Sequence, residues 1–234
     1  MKPHRRAVLD AGLIGRKHLQ TIAAMPDVTQ LVAVVDPHLS PDDARTFTAP
    51  LFDDLVHMLD AVQPEAVIVA TSNALHAQQA LVCCQRGIHV LLEKPVTVSL
   101  EEAQQVVAAI HQTGVKTLAG HHRRYLAAVR QGRDQIVQGA LGQLVVASVV
   151  WANRKPDDDY KVPWRTHAGG GPLLINAIHK VDMLRFLCGE IHSVTGVKSQ
   201  AVRGIEVEDT AAAILEFDNH FIVTLTCADA GLSP

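Results

Sequence analysis

The stretch RRAVLDAGLIGRKHL, residues 5–19, decides how the chain is read. Ala7 to Leu9 form a short apolar strand, and Ile14, Leu19, Ile22 and Ala23 then recur at helical spacing. Between them lies Asp10-Ala11-Gly12-Leu13-Ile14-Gly15. A strand, a glycine turn and a helix entry are how a dinucleotide-binding unit of pattern G-x-G-x-x-G begins. Gly12 would let the backbone approach a pyrophosphate, and Gly15 would let the helix pack closely on the strand. The helix start, with Leu13 and Ile14 in its first turn, adds free N–H donors and positive dipole. Asp36 follows at the end of the second strand, 21 residues after Gly15. An acidic residue there binds ribose hydroxyls and selects NAD over NADP. A plain strand-helix-strand unit with glycine turns is the competing reading of the same residues.

The first glycine of the pattern is Asp10. A side chain there takes room, and a carboxylate repels a pyrophosphate. At about 5 Å and an effective dielectric near 20, one like-charge pair is worth roughly 3 kcal/mol. That is a loss on the order of a hundredfold in affinity. Arg16 and Lys17 are the nearby cations that would soften it.

Working outward, strands and helices alternate through the first half. LVAVVD (31–36), EAVIVAT (65–71) and IHVLLE (88–93) are continuous apolar runs, as expected of strands buried on both faces. ALHAQQALVCCQR (74–86) is helical and stops at Gly87; Ser99 to Glu102 has a capping-box pattern and opens a helix that Gly114 closes. VKTLAG (115–120) supplies a last short strand. The alternation predicts an α/β fold with a doubly wound parallel sheet over residues 1–119. The crossover between Asp36 and Phe52 is short and holds three prolines, so it leaves little helix to cover that face.

From residue 120 the pattern changes. Residues 144–152, 192–202, 209–217 and 220–228 read as strands, with a tight hairpin at Asp218-Asn219 and one helix at about Leu173 to Leu187. This predicts a second α/β domain, residues 120–234, with an open and mainly antiparallel sheet. The sequence stops at GLSP (231–234) just after a strand, so the domain reads as incomplete, its sheet edge uncovered unless another chain or segment lies on it.

The 234 residues are 48% hydrophobic and 19% charged, enough apolar material for a core. The net charge of -3 argues against a dedicated nucleic-acid binder. No apolar run is long enough for a transmembrane helix, and the N-terminus lacks a signal-peptide core. The four cysteines form no C-x-x-C, so no metal site is expected, and reduced thiols fit a cytoplasmic protein.

Several polar residues can carry chemistry. Lys94, in LLEKPV, follows a buried strand at the carboxyl edge where ligands of open α/β sheets bind. It can polarise a hydroxyl or carbonyl; a solvated lysine explains it equally well. Pro95 fixes that turn and is a candidate for a cis bond. Thr71, Asn73 and His76 lie at another carboxyl edge, where Asn73 or His76 can touch a nicotinamide, while Asn73 also suits a helix N-cap. In GGGPLLINAIHKVDMLRFL (169–187), Asn176 and His179 share a helix face with Asp182 near it. A histidine is suited to proton transfer at neutral pH. Trp164, His122 and Arg123 offer stacking surface and cations for a polyol or a carboxylate; a solvated basic turn is the alternative for HHRR. Pro156 to Tyr160 reads as an exposed loop.

These segments, taken in order, resemble the Gfo/Idh/MocA family of glucose–fructose oxidoreductase and inositol dehydrogenase. The resemblance rests on AGLIGRKHL, VAVVDP, TSNALH, LLEKPV, GHHRRY, GGGPLLINAIHKVDMLR and VEDTAAAILEF, and runs from about Arg5 to Ala228. It implies an N-terminal Rossmann domain, a C-terminal α/β domain and NAD(P)-dependent hydride transfer on a sugar, polyol or related hydroxy compound. It implies Lys94 and His179 as the catalytic pair, the first bonding the reacting oxygen and the second exchanging the proton. Gly12, Leu13, Ile14, Gly15, Asp36, Thr71, Asn73, His76, Glu93 and Lys94 would then hold the cofactor. His122, Arg123, Trp164, Asn176 and His179 would hold the substrate. The C-terminal sheet would serve a homo-oligomer. The chain departs from the family pattern at Asp10, at Ile175 where an Asp is frequent, and in ending early. The alternative is therefore a truncated, non-catalytic relative with impaired cofactor binding.

Overall fold

In the computed structural model, residues 2–44 and 46–231 are described, so Arg45 of the crossover and the last three residues of GLSP lie outside them. The chain divides into two compact units, the first running to Gly120 and the second beginning at His121.

The first unit contains β1 (His4–Leu9), α1 (Leu13–Ala23), β2 (Thr29–Val35), α2 (Pro41–Ala44), β3 (Leu51–Phe52), α3 (Leu55–Val62), β4 (Ala66–Val69), α4 (His76–Gln85), β5 (His89–Leu92), α5 (Leu100–Thr113) and β6 (Thr117–Ala119). The strands are all parallel, in the order β3-β2-β1-β4-β5-β6. This is the doubly wound order, with its switch point between β1 and β4. Successive strand residues point to opposite faces. Ala7, Leu9, Ala33, Val35, Val67 and Val69 therefore join the core under α3, α4 and α5. Val8, Val34 and Ile68 pack with Leu19 and Ile22 of α1 on the other face. Each such valine or leucine, once buried, contributes about 1.5–3 kcal/mol.

The crossover is as thin as its prolines imply. Among its described residues the one helix is α2, four residues long, and Leu39 and Phe47 from its loops help cover the α1 face. Ser99 caps α5 by accepting from the Glu102 N–H at 3.2 Å, while the Glu102 carboxylate accepts from the Val98 N–H. Gly87 and Gly114 follow α4 and α5 at φ 71° and 69°, the left-handed conformation that ends a helix.

The second unit contains α6 (Ala127–Val137), β7 (Val146–Ala152), α7 (Ile178–Cys188), β8 (Ile191–Ser199), β9 (Thr210–Phe217) and β10 (Ile222–Ala228). Its sheet runs β7-β10-β9-β8. The β10–β9 and β9–β8 pairs are antiparallel, but β10–β7 is parallel, so the sheet is mixed. Leu215, Phe217, Val223 and Leu225 form its core with Leu184 of α7. The opposite face leaves Val146, Val150, Val197, Ile214 and Ile222 exposed.

Two local readings are corrected. The β9–β10 turn spans Asp218 to His220, with His220 at φ 65° and the His220 N–H donating to the Phe217 carbonyl. The region expected to be one helix from Leu173 begins as a π-helical turn, Leu173–Ala177, and only then continues as α7. Such turns widen a helix and recur at functional sites. Among the described residues no helix is long and apolar enough to cross a membrane.

Candidate functional site

In the first unit the candidate residues gather at the carboxyl ends of β1, β2, β4 and β5. The turn after β1 depends on Asp10, which adopts φ 72°. Aspartate is among the few residues other than glycine that tolerate this left-handed conformation. The Asp10 side chain folds back, and its Oδ1 accepts from the Gly12 N–H at 2.5 Å. Gly12 is the N-cap of α1, and Leu13 is exposed while Gly15 is buried one turn in. A Cβ at Gly15 would lie 1.8 Å from the Asp10 carbonyl oxygen, so helix and strand approach closely enough to demand glycine.

Asp36, 9% exposed at the end of β2, accepts from the Ala11 N–H through Oδ2 (3.0 Å) and from the His38 N–H through Oδ1 (2.9 Å). A carboxylate has about four lone-pair positions, so each oxygen keeps one for a further donor. Asp10, Asp36, His38, Asp54, Thr71 and Gln79 line a cleft of ≈ 430 Å³. That is the size of a small-molecule site, placed at the switch point of the sheet. Burial pushes the Asp10 carboxyl up from its ordinary range, and the Asp36 charge adds to this; the Gly12 N–H and His38 pull the other way.

The neighbouring turns are linked by side-chain hydrogen bonds. Thr71 Oγ1 donates to Gln79 Oε1 at 2.7 Å. His76 is 1% exposed, with its ring nitrogens 2.6 Å from the Pro95 carbonyl and 3.0 Å from the Thr71 carbonyl. It ties the two turns together. Asn73 opens the single 3-10 turn Asn73–Leu75; the residue preceding α4 is Leu75, so Asn73 does not cap that helix. The Lys94–Pro95 peptide is cis.

Glu93 reveals a partner that the sequence does not announce. Its Oε1 lies 2.9 Å from His18 Nε2, and its Oε2 accepts from the Lys94 N–H at 3.1 Å. Burial raises this carboxyl, but the bonds from His18 and Lys94 outweigh it and hold Glu93 below the usual range. A Cβ at Gly120 would meet Glu93 Oε2 at 2.7 Å, so glycine makes room for the carboxylate. The signal for His18 was its position one helical turn after Gly15.

In the second unit several residues cluster around His179. The His122 and His121 rings are edge-on to the His179 ring, at centroid distances of 5.4 and 6.1 Å. Asp182, one turn along α7, is gripped by Arg124, whose Nε lies 2.9 Å from both carboxylate oxygens and whose Nη2 lies 2.5 Å from Oδ1. His121 Nδ1 is 3.8 Å from the same carboxylate. Hydrogen bonding to Asp182 pushes the Arg124 guanidinium up. Asn176 lies in the π-turn, its Nδ2 buried and without a hydrogen-bond partner among the described residues. Arg123 is half-buried, and Trp164 is stacked under the Arg165 guanidinium at 4.8 Å.

The glycine entry to this helix has a packing cause as well. A Cβ at Gly170 would meet the Trp164 carbonyl at 2.3 Å, and one at Gly171 would meet Glu208 Oε1 at 2.2 Å. Glu208 accepts from the Leu173 N–H and so satisfies the start of the π-turn. Glu208 is a supporting residue that sequence reasoning passed over, although it stands in VEDT beside the fully buried Asp209. Residues Asp157–Lys161 form a 3-10 turn rather than an open loop, and the Tyr160 hydroxyl donates to the buried Asp229. Among the described residues no group of three or more acidic, histidine or cysteine side chains is arranged so that it could hold a metal ion.

Residues 5–121 match the model of the oxidoreductase family with an NAD-binding Rossmann fold, and residues 129–231 match the GFO/IDH/MocA C-terminal domain. The chain belongs to the Gfo/Idh/MocA oxidoreductase family. A similar protein is 1,5-anhydro-D-fructose reductase of Ensifer adhaerens, 39% identical over 129 residues, or 54% of this chain and 38% of that protein. D-glucoside 3-dehydrogenase of Escherichia coli is 28% identical over 95% of this chain and 69% of its own. The chain thus spans only part of the length of these relatives. Among solved structures, the WlbA dehydrogenase of Bordetella pertussis in complex with NADH and UDP-GlcNAcA is similar, with TM-score 0.92 and 28% identity over 98% of this chain and 72% of that one.

Proposed function

We propose that this chain carries the cofactor and substrate residues of an NAD-dependent oxidoreductase acting on a CH–OH group of a sugar, polyol or related hydroxy compound. One observation carries the reading. Both halves of the family pattern occur on a single chain together with Asp36 after β2, Lys94 after β5 and His179 in α7. The sugar names of the two relatives support the substrate class.

The residues fit the cofactor. The close turn at Gly12 and Gly15, with Leu13 and Ile14 at the start of α1, suits the pyrophosphate. Asp36 keeps lone pairs for ribose hydroxyls, and its charge opposes a 2′-phosphate, which favours NAD over NADP. Thr71, Asn73 and Glu93 are assigned to the nicotinamide end, with His76 holding the turns that carry them. Bound NAD supplies the hydride acceptor. The Lys94 ammonium bonds the reacting oxygen and lowers its hold on its proton, and His179 takes that proton. His122, Arg123, Trp164 and Asn176 supply donors and stacking surface for hydroxyl groups.

Two further assignments accompany this one. The largely apolar sheet face carrying Val146, Val150, Val197, Ile214 and Ile222, with Glu216 its charged member beside Ile222, is assigned to a second copy of the chain, because a two-fold contact buries the same apolar patch on both copies. Val197→Lys with Ile214→Lys would then reduce the mass found by light scattering. The four free cysteines support a cytoplasmic setting.

The test is NAD reduction followed at 340 nm with anhydrohexitols, glucosides and inositols. Lys94→Ala and His179→Ala should each lower kcat by about a hundredfold or more while melting as the parent does. No turnover with any of them, together with no NAD binding, would refute the proposal.

A further inference from the structure

Asp10 is unexplained by the proposed function, since the family pattern has glycine there and the cofactor is an anion. The geometry shows what the residue does instead. Its carboxylate occupies the Gly12 N–H at 2.5 Å, the donor that the turn would otherwise offer to a phosphate. The preceding amide, Ala11 N–H, is taken by Asp36. The turn therefore binds a carboxylate of its own where a dinucleotide would place its pyrophosphate. Asp10 is also one of the residues lining the cleft of ≈ 430 Å³.

We infer that the Asp10 carboxylate is an internal stand-in for the pyrophosphate, which the dinucleotide must displace, and that binding takes up a proton at Asp10. This rests on the proposed function. An ionised Asp10 beside a pyrophosphate faces repulsion. A protonated Asp10 faces none, and its hydroxyl becomes a donor to a phosphate oxygen. The surroundings do not neutralise the carboxylate. Asp36 and His38 follow β2, and Asp53 and Asp54 precede α3, all four lining the same cleft. On α1, Arg16 is paired with Asp43 at 3.7 Å, and Lys17 follows it. The end of β4 contributes uncharged Thr71 and Ser72. Burial and the Asp36 charge already raise the Asp10 carboxyl, against the pull of the Gly12 N–H and His38. Acidification should thus tighten binding rather than weaken it.

The experiment titrates NAD into the chain by calorimetry at pH 6, 7 and 8, in two buffers of different ionisation enthalpy. The parent, Asp10→Asn and Asp10→Gly are compared, with thermal melts of each. Glycine suits φ 72°, so Asp10→Gly should fold. The parent should weaken by up to about tenfold per pH unit and take up about one proton on binding. Asp10→Asn and Asp10→Gly should bind with little pH dependence, at least as tightly at pH 8 as the parent does at pH 6, and without that proton. A parent with flat affinity and no proton uptake overturns the inference alone. A slope that persists in Asp10→Asn also overturns it, and moves the proton to Asp36 or His38. Absence of NAD binding in both the parent and a cooperatively melting Asp10→Gly overturns the cofactor reading together with the inference.

Discussion

The two glycines of the first turn should respond differently to the same substitution. In Gly15→Ala the new methyl would lie 1.8 Å from the Asp10 carbonyl oxygen and 2.8 Å from its carbon, both backbone atoms. Strand and helix must part by about 1 Å or more, and overpacking of this kind costs typically 1–3 kcal/mol or above. Alanine returns up to about 1 kcal/mol of helix propensity. The net loss should be about 2 kcal/mol, or roughly 4–8 °C in melting temperature for a chain of this size. In Gly12→Ala the methyl meets Asp10 Oδ1 at 2.8 Å, the tip of a side chain that can turn away. That loss should stay below about 1 kcal/mol. Removing the carboxylate by Asp10→Gly should abolish the Gly12→Ala penalty and leave the Gly15→Ala penalty intact. Far-UV circular dichroism is the right probe, because both tryptophans, Trp151 and Trp164, belong to the second unit. Equal losses for the two glycines, or rescue of Gly15→Ala by Asp10→Gly, would refute the reasoning.

Three more outcomes can be checked independently. Arg124→Ala leaves the buried Asp182 carboxylate without its two-pronged partner; discounted for the part-exposed guanidinium, the loss should be about 2–3 kcal/mol by tryptophan-detected urea unfolding, and Arg124→Lys should recover only part of it. Glu93 is held below its ordinary range in the fold, so it contributes stability above the unfolded value near 4.5 that is lost as pH falls through its lower folded value. His18→Ala removes the His18 bond and brings the folded value back towards the unfolded one, so the chain should be less stable at neutral pH and lose less further stability between about pH 5 and 3 than the parent in a melting series. Burial pushes the Cys83 and Cys227 thiols up to about 12, and Cys84 and Cys188 are also raised, so a thiol reagent at pH 8 should label the native chain slowly and all four thiols only after denaturation.

Much of the first unit was legible because its strands are buried on both faces. Val8, Val34, Ile68 and Val90 stand in continuous apolar runs that admit few other structures. What was missed had little burial to leave a pattern. Helix α6 has no buried residue, so its sequence carries no apolar stripe strong enough to read. Strand β3 is two residues long and owes its existence to pairing with Val34 and Val35. The parallel β7–β10 pair depends on partners about 76 residues apart, which local alternation does not encode. At the site, charge repulsion at Asp10 was legible from its place in the glycine pattern, but its left-handed backbone and its bond to Gly12 were not, because both arise from the turn itself. Glu208 was overlooked for a related reason. Its role is to satisfy an amide 35 residues away, opposite a glycine whose purpose appears only when a Cβ is placed there.

The central claim is that the first unit binds NAD through Asp36 and the turn after β1. Its most direct measurement is a calorimetric titration of NAD and, separately, NADP into the chain at pH 6, repeated on Asp36→Ala. Binding of NAD in the micromolar range, NADP weaker by about tenfold or more, and loss of that preference in Asp36→Ala are the results the account predicts. No heat with NAD, or NADP bound as tightly as NAD by the parent, would contradict it.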